Sequence, residues 1–384
     1  MASASTRQFD HWYPQYGDRY SNIVRINCSD EYHNYKAGNK SAVAVNWQGG
    51  AGKYTVLTQP LVECILEHTS EFLKGCMTGA QVVLGVMPTI IALLGPSHDE
   101  IAMLSNVGRR PLLAAGIALA SPSAYFGRPL EYSDPTKILS HEKNRRKQWR
   151  PRKPLAKLGV SFVEYVFVGA ACCNVINNTL QVNDWAISSF ASDLDFLPLL
   201  WLAIGLFLHI FSGVVFRLRL QGWRVRVKNA SGDGSEAQHR DDRMLKNKYQ
   251  RSARGGKSVG GLAKGFLSWV RNTWPRVQGI ILLTEFTPCA ADGFVVHMET
   301  FRETRSFLVA TWSQSTLTII HVVFGTLVFA GMLFVGIKDA LSIICRYIAG
   351  VVVCRIILMY ELAGLRESWG TLDGKDVPRF GDED

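Results

Sequence analysis

The sequence is short of the usual marks of catalysis. Its eight cysteines form no CxxC pair, and its nine histidines show no paired helical spacing, so the ligand clusters that hold zinc or iron are missing and no metal or cofactor is expected. No GxSxG stretch offers a serine nucleophile on a strand-to-helix turn. Two glycine-rich stretches imitate a phosphate loop and fail it. In GGAGKYT (49–55) the leading glycine position falls on Trp47 and Tyr54 stands where a hydroxyl must reach magnesium. In GGKS (255–258) the leading position holds Arg251. A backbone cradle for phosphate needs the full spacing, so neither stretch predicts a nucleotide site. The expectation is a chain that is not an enzyme.

Charge is missing from long stretches, and this absence sets the class. Residues 75–97 contain no Asp, Glu, Lys, Arg or His, a run long enough to cross roughly 30 Å of hydrocarbon as a helix. Residues 159–176, 196–216 and 316–337 behave alike. Two further segments are less regular. Residues 111–126 (PLLAAGIALASPSAYF) are short and contain Pro122, which fits a short span or a re-entrant element. Residues 340–362 are long enough but carry Arg346 and Arg355 on opposite sides of one helix, so one is expected to face the bundle interior and the other to snorkel to an interface. The pattern predicts an all-α polytopic membrane protein of about six spans, with five as the alternative.

Lys and Arg are distributed as the positive-inside rule requires. Arg128 to Lys157 holds ten basic residues against three acidic ones, and Arg217 to Lys257 holds twelve against four, whereas residues 177–195 contain no Lys or Arg. The two basic loops therefore belong to the cytoplasm and 177–195 to the far side. Clusters of this density beside a membrane can recognise anionic lipid headgroups, so the partners expected are the bilayer and such headgroups. No nucleic-acid module accompanies the formal charge of +10, and nucleic acid is not expected as a partner.

Six spans put both termini in the cytoplasm and make 96–110 an outer loop, against which Arg109 and Arg110 argue. Five put the N-terminus outside and make the sequons at Asn27 and Asn39 usable. A third sequon begins at Asn177, on the expected far side but close to a membrane end. The N-terminus has no apolar signal-type core, so targeting is expected to rest on the spans.

The domain reading follows. Residues 1–59 are polar, aromatic and expected to be irregular. Residues 60–126 hold an amphipathic helix, a span that Pro88 should kink near Leu84, and the short second span. A basic loop (127–157) leads to a transmembrane hairpin (158–217), then to a linker and peripheral segment (218–314), a second hairpin (315–362) and a polar tail (363–384). Within 64–135 the strings LEHTSEF, VVLGVMPTIIALLG, DEIAML, GRRPLL, LASPS and EYSDP resemble a block found in multi-pass membrane proteins of filamentous fungi without assigned activity. That resemblance implies membrane class and a eukaryotic endomembrane or plasma membrane; it implies no site residue.

Ionisable groups inside the spans are costly in hydrocarbon and mark a polar interior. They are Glu164, His209, His321, Arg346 and Arg355. Gly205, His209 and Gly213 share one helical face, and His321 with Gly325 repeats the spacing, so the histidines are expected either in helix packing with an interhelical hydrogen bond or in a proton or substrate pathway with Glu164 as acceptor. The leading expectation is a non-enzymatic membrane scaffold or lipid-associated protein; the alternative is a small transporter or channel built on these residues.

Overall fold

The computed structural model describes residues 8–38, 54–122, 149, 151, 153–220, 224–227, 285–291, 296–299 and 305–370. Most of both basic loops, both phosphate-loop imitations, the Asn39 sequon and the tail beyond 370 lie outside these residues. Ten helices and four short strands are described. The helices are α1 (Gly17–Ile26), α2 (Ser29–Ala37), α3 (Gln59–Glu67), α4 (Glu71–Leu94), α5 (His98–Asn106), α6 (Pro111–Ala120), α7 (Pro154–Trp185), α8 (Leu197–Leu220), α9 (Arg305–Ala330) and α10 (Ile337–Gly370). The strands are β1 (Ile187–Ser188), β2 (Arg224–Val227), β3 (Val296–Glu299) and β4 (Met332–Leu333).

Local chemistry sets where the helices begin. Proline opens α6 and α7 and stands at the start of α3, where its missing N–H costs nothing. Ser97 and Glu100 form a capping box at α5, each side chain accepting from the other residue's backbone N–H.

Five helices, α4, α7, α8, α9 and α10, are long and apolar enough to cross a membrane. Their outward faces carry large apolar side chains such as Phe162 (71% exposed), Val323 (61%) and Ile356 (62%), a belt that suits lipid and not water. This fits an all-α multi-pass membrane protein.

Among the described residues five helices meet the length and composition of a span, the number weighed as the alternative to six. The segment predicted as a short second span forms α6, which ends at Ala120 and has only ten residues. It packs among α5, α7, α8 and α10. Gly116 contacts Val168 of α7, and the Ala120 carbonyl lies against Gly350 of α10. Helix α6 is therefore a short apolar helix packed between longer ones.

Other boundaries moved for reasons visible in the packing. Helix α7 continues to Trp185, so Asn177 lies inside a helix and not in a loop. Its neighbours face inward: Asn178 Nδ2 donates to the Ile343 carbonyl and Thr179 Oγ1 pairs with Tyr347 Oη. These interhelical bonds let a polar stretch remain helical. Similarly, α9 begins at Arg305, within the segment read as peripheral. Helix α4 passes through Pro88 without interruption; one turn earlier, a Cβ on Gly85 would lie 2.9 Å from Ala330 Cβ, so this stretch is a close helix contact.

Within the N-terminal region, expected to be irregular, the described residues 8–38 and 54–59 are ordered and include α1 and α2. Phe9, Tyr20, Tyr35, Leu57, Leu61 and Ile65 are buried together, and a disulfide joins Cys28 to Cys64. Aromatic edges and one crosslink order it, neither of which shows as helical periodicity. The unit seats on the end of the bundle formed by the α7–α8 and α9–α10 turns. Those turns are themselves joined, Ile187 pairing with Leu333 and Ser188 with Met332. Asp193 Oδ1 accepts from the N–H groups of Leu57 and Thr58, and Asp339 Oδ2 from that of Gln15. Phe334 adopts a left-handed backbone (φ 63°), and its ring packs against Trp12 and Tyr20.

Candidate functional site: a buried ion cluster and a histidine pair

The turn between α5 and α6 delivers Arg110 into the protein. A Cβ on Gly108 would lie 2.7 Å from the Leu104 carbonyl, and Arg109 takes a left-handed backbone (φ 54°). Arg110 is fully buried, and its guanidinium donates in three directions. Nε reaches the Glu285 carbonyl at 2.8 Å, Nη2 reaches Ser161 Oγ at 2.7 Å, and Nη1 reaches Glu164 Oε2 at 2.5 Å. Nη1 also lies 3.0 Å from Glu361 Oε1, an ion pair without hydrogen-bond alignment.

The segment 285–291 completes the cluster. Glu285 Oε1 accepts the Leu113 N–H at 3.0 Å, supplying the carboxylate cap that α6 lacks from its own Arg110, and it accepts the Tyr165 hydroxyl as well. Cys289 N–H donates to Glu361 Oε2 at 3.0 Å. Gly364 admits the segment, since a Cβ there would lie 2.3 Å from Ala290 N.

Burial alone would lower the Arg110 pKa, but the Glu361 and Glu164 carboxylates more than offset it and hold the guanidinium above its ordinary value. Burial, then Glu361, pushes the Cys289 thiol well above its usual range, so this cysteine is not a nucleophile in the folded state.

Sequence reasoning identified Glu164 as an acceptor in a polar interior. Its described ion-pair partner is Arg110. Arg109 and Arg110 stood out only as charges unsuited to an outer loop, a clue that led to the right end of the bundle. Glu285 gave no signal, because it lies outside the apolar runs from which the intramembrane residues were drawn; Glu361 stands at the end of residues 340–362 and was not among the residues singled out there.

The histidines form a second group. His98 Nδ1 lies 3.1 Å from His209 Nδ1, and His98 Nε2 lies 3.2 Å from Thr318 Oγ1. Thr318 spends its one proton on the Gln314 carbonyl, so its oxygen accepts from His98 Nε2–H. His98 Nδ1 is then the acceptor and His209 Nδ1 the donor, which assigns His98 as the neutral ring protonated at Nε2. Burial, then the neighbouring His209 and His321, lowers the His98 pKa well below 6.5. His321 stands apart from this pair, stacked on Trp201 with ring centroids 5.3 Å apart and its Nε2 near the Pro122 carbonyl. The small residues serve packing, as a Cβ on Gly325 would lie 2.3 Å from Trp201 Nε1.

The two arginines of α10 are separately paired. Arg355 bonds Glu100 of α5, and the exposed Arg346 bonds Gln181 of α7. Glu164, His209, His321, Arg346 and Arg355 thus occupy different environments.

The three ligand atoms of Cys28, Cys64 and His68 lie close enough to suit a metal, but both thiols are spent in the disulfide. Comparison with family models, curated proteins and solved structures finds no match to the chain.

Proposed function

We propose that this chain is a non-enzymatic, five-span membrane scaffold. In this reading the disulfide-bonded N-terminal unit lies on the exoplasmic face and the basic loops lie in the cytoplasm, where they gather anionic lipid. Two independent features support the sidedness. The Cys28–Cys64 disulfide belongs to an oxidising compartment. Counting five spans from an outer N-terminus puts both Lys/Arg-rich loops inside and the 186–196 and 331–336 turns, which meet the N-terminal unit, outside. The resemblance of 64–135 to fungal membrane proteins is consistent with a eukaryotic endomembrane or plasma membrane.

The observation that carries the scaffold reading is the separation of the ionisable groups. A transport pathway needs its titratable residues to converge, whereas each of the five here has its own local partner. The test is lipid retention. Full-length protein extracted in mild detergent should carry anionic phospholipid visible by native mass spectrometry. Replacing the basic residues of 143–153 and 217–228 with glutamine should remove it. Equal lipid retention by the neutralised protein refutes lipid gathering by these loops.

A second reading, a small transporter, draws on one observation: Arg110, Glu164, Glu361 and the His98–His209 pair all lie toward the bundle end opposite the N-terminal unit. Substrate flux in proteoliposomes abolished by Glu164→Gln would establish it in place of the scaffold.

A further inference from the structure

Among the described residues around Arg110 the charges do not cancel. Glu164 and Glu361 bring two carboxylates to one guanidinium, Glu285 adds a third close by while meeting Arg110 through its main-chain carbonyl, and all four side chains are shut away from solvent, Glu164 being the most exposed at 5%. Glu285 is stabilised on its own terms, by the Leu113 N–H at the positive end of α6 and by the Tyr165 hydroxyl. Arg110 balances one of the two that remain.

The remaining two crowd the same nitrogen. Glu164 Oε2 and Glu361 Oε1 lie 2.5 and 3.0 Å from Arg110 Nη1, so both carboxyl groups converge on one nitrogen. Glu164 Oε1 has no hydrogen-bond partner among the described residues, and Glu361 Oε1 has no aligned donor. If both carboxyl groups were ionised, two anions would share a dry site with one cation between them, leaving a buried charge uncompensated among the described residues. A metal ion is a poor remedy, because the Arg110 guanidinium already fills the point on which the oxygens converge. A proton fits: held on one carboxyl group it supplies an O–H donor and removes the surplus charge.

We propose that Glu164 and Glu361 hold one hydrogen ion between them, so that the Arg110 cluster is a proton-binding site at the end of the bundle away from the N-terminal unit. The titratable and charged groups facing it are Arg110 before α6, Tyr165 on α7, Tyr360 on α10, and Glu285 and Cys289 on the 285–291 segment. Loss of the proton sets α7 and α10 against each other at this point, and the Cys289 contact to Glu361 passes the change to the segment that caps the cluster.

The test uses the full chain in lipid nanodiscs and infrared spectroscopy with carbon-13-labelled glutamate, which separates glutamate bands from those of Asp339. At neutral pH the wild-type protein should show the carbonyl stretch of a protonated glutamic acid, shifted by the isotope. Glu164→Gln and Glu361→Gln should each abolish it, and Glu100→Gln should leave it intact. Absence of the band from the wild-type protein overturns the proposal without any variant being needed. A band that survives unchanged in both substitutions overturns it as well.

Discussion

At the residue scale, one arginine decides whether the inner end of the bundle holds together. Arg110 is the described ion-pair partner of Glu164 and Glu361, so Arg110→Met should leave that buried carboxyl pair without its counter-charge and cost about 3–5 kcal/mol, the range for breaking a buried pair on one side. Thermal unfolding in detergent checks this. Arg110→Lys should recover only part of the loss, because a single ammonium group cannot reach the Glu285 carbonyl, Ser161 and both carboxylates at once. His98 gives a pH dependence of definite sign. Its folded pKa is depressed below 6.5, so the unfolded chain binds the extra proton and stability rises with pH up to about that value. The melting temperature should therefore fall as the pH is lowered beneath 6.5, and His98→Gln should flatten that slope; an unchanged slope in the variant would show that another group titrates.

At the element scale, the short helix α6 and the 285–291 segment depend on each other, one giving its N-terminus to the other's carboxylate. The close approach at Gly364 holds the segment in place. Gly364→Val should expel it and bring Cys289, 1% exposed in the folded protein, within reach of a maleimide that leaves it unmodified in the wild type. Labelling confined to Cys173 and Cys345, both exposed, would show that the segment stays seated without that glycine. This element illustrates why part of the fold was hidden in the sequence. Residues 75–97 and 196–216 announce spans because a charge-free run of that length has few other uses. Residues 111–126 were as apolar, and only contacts with Val168 and Gly350 show that the helix ends among its neighbours. His98 was illegible for the same reason: a side chain outside an apolar run is buried only by what tertiary structure brings to it. The Cys28–Cys64 crosslink left a faint trace, two of the three cysteines outside the apolar runs, but pairing cannot be read from spacing alone.

At the scale of the whole molecule, two ends with opposite chemistry face each other across an apolar belt. One carries the disulfide, the aromatic core around Phe334 and the joined β1 and β4 turns; the other carries the buried ion cluster and leads into the basic loops. The central claim is that these ends lie on opposite sides of a membrane, with the N-terminal unit exoplasmic and five crossings. Glycosylation mapping in microsomes tests it most directly, using chains that retain a single acceptor at Asn27 or Asn39, or carry one engineered acceptor within 96–110 or after 370. Glycan on the N-terminal acceptors, with none on the 96–110 or C-terminal ones, is the expected result. Glycan within 96–110, with Asn27 and Asn39 bare, would make α6 a crossing helix, return the N-terminus to the cytoplasm and contradict the five-span arrangement.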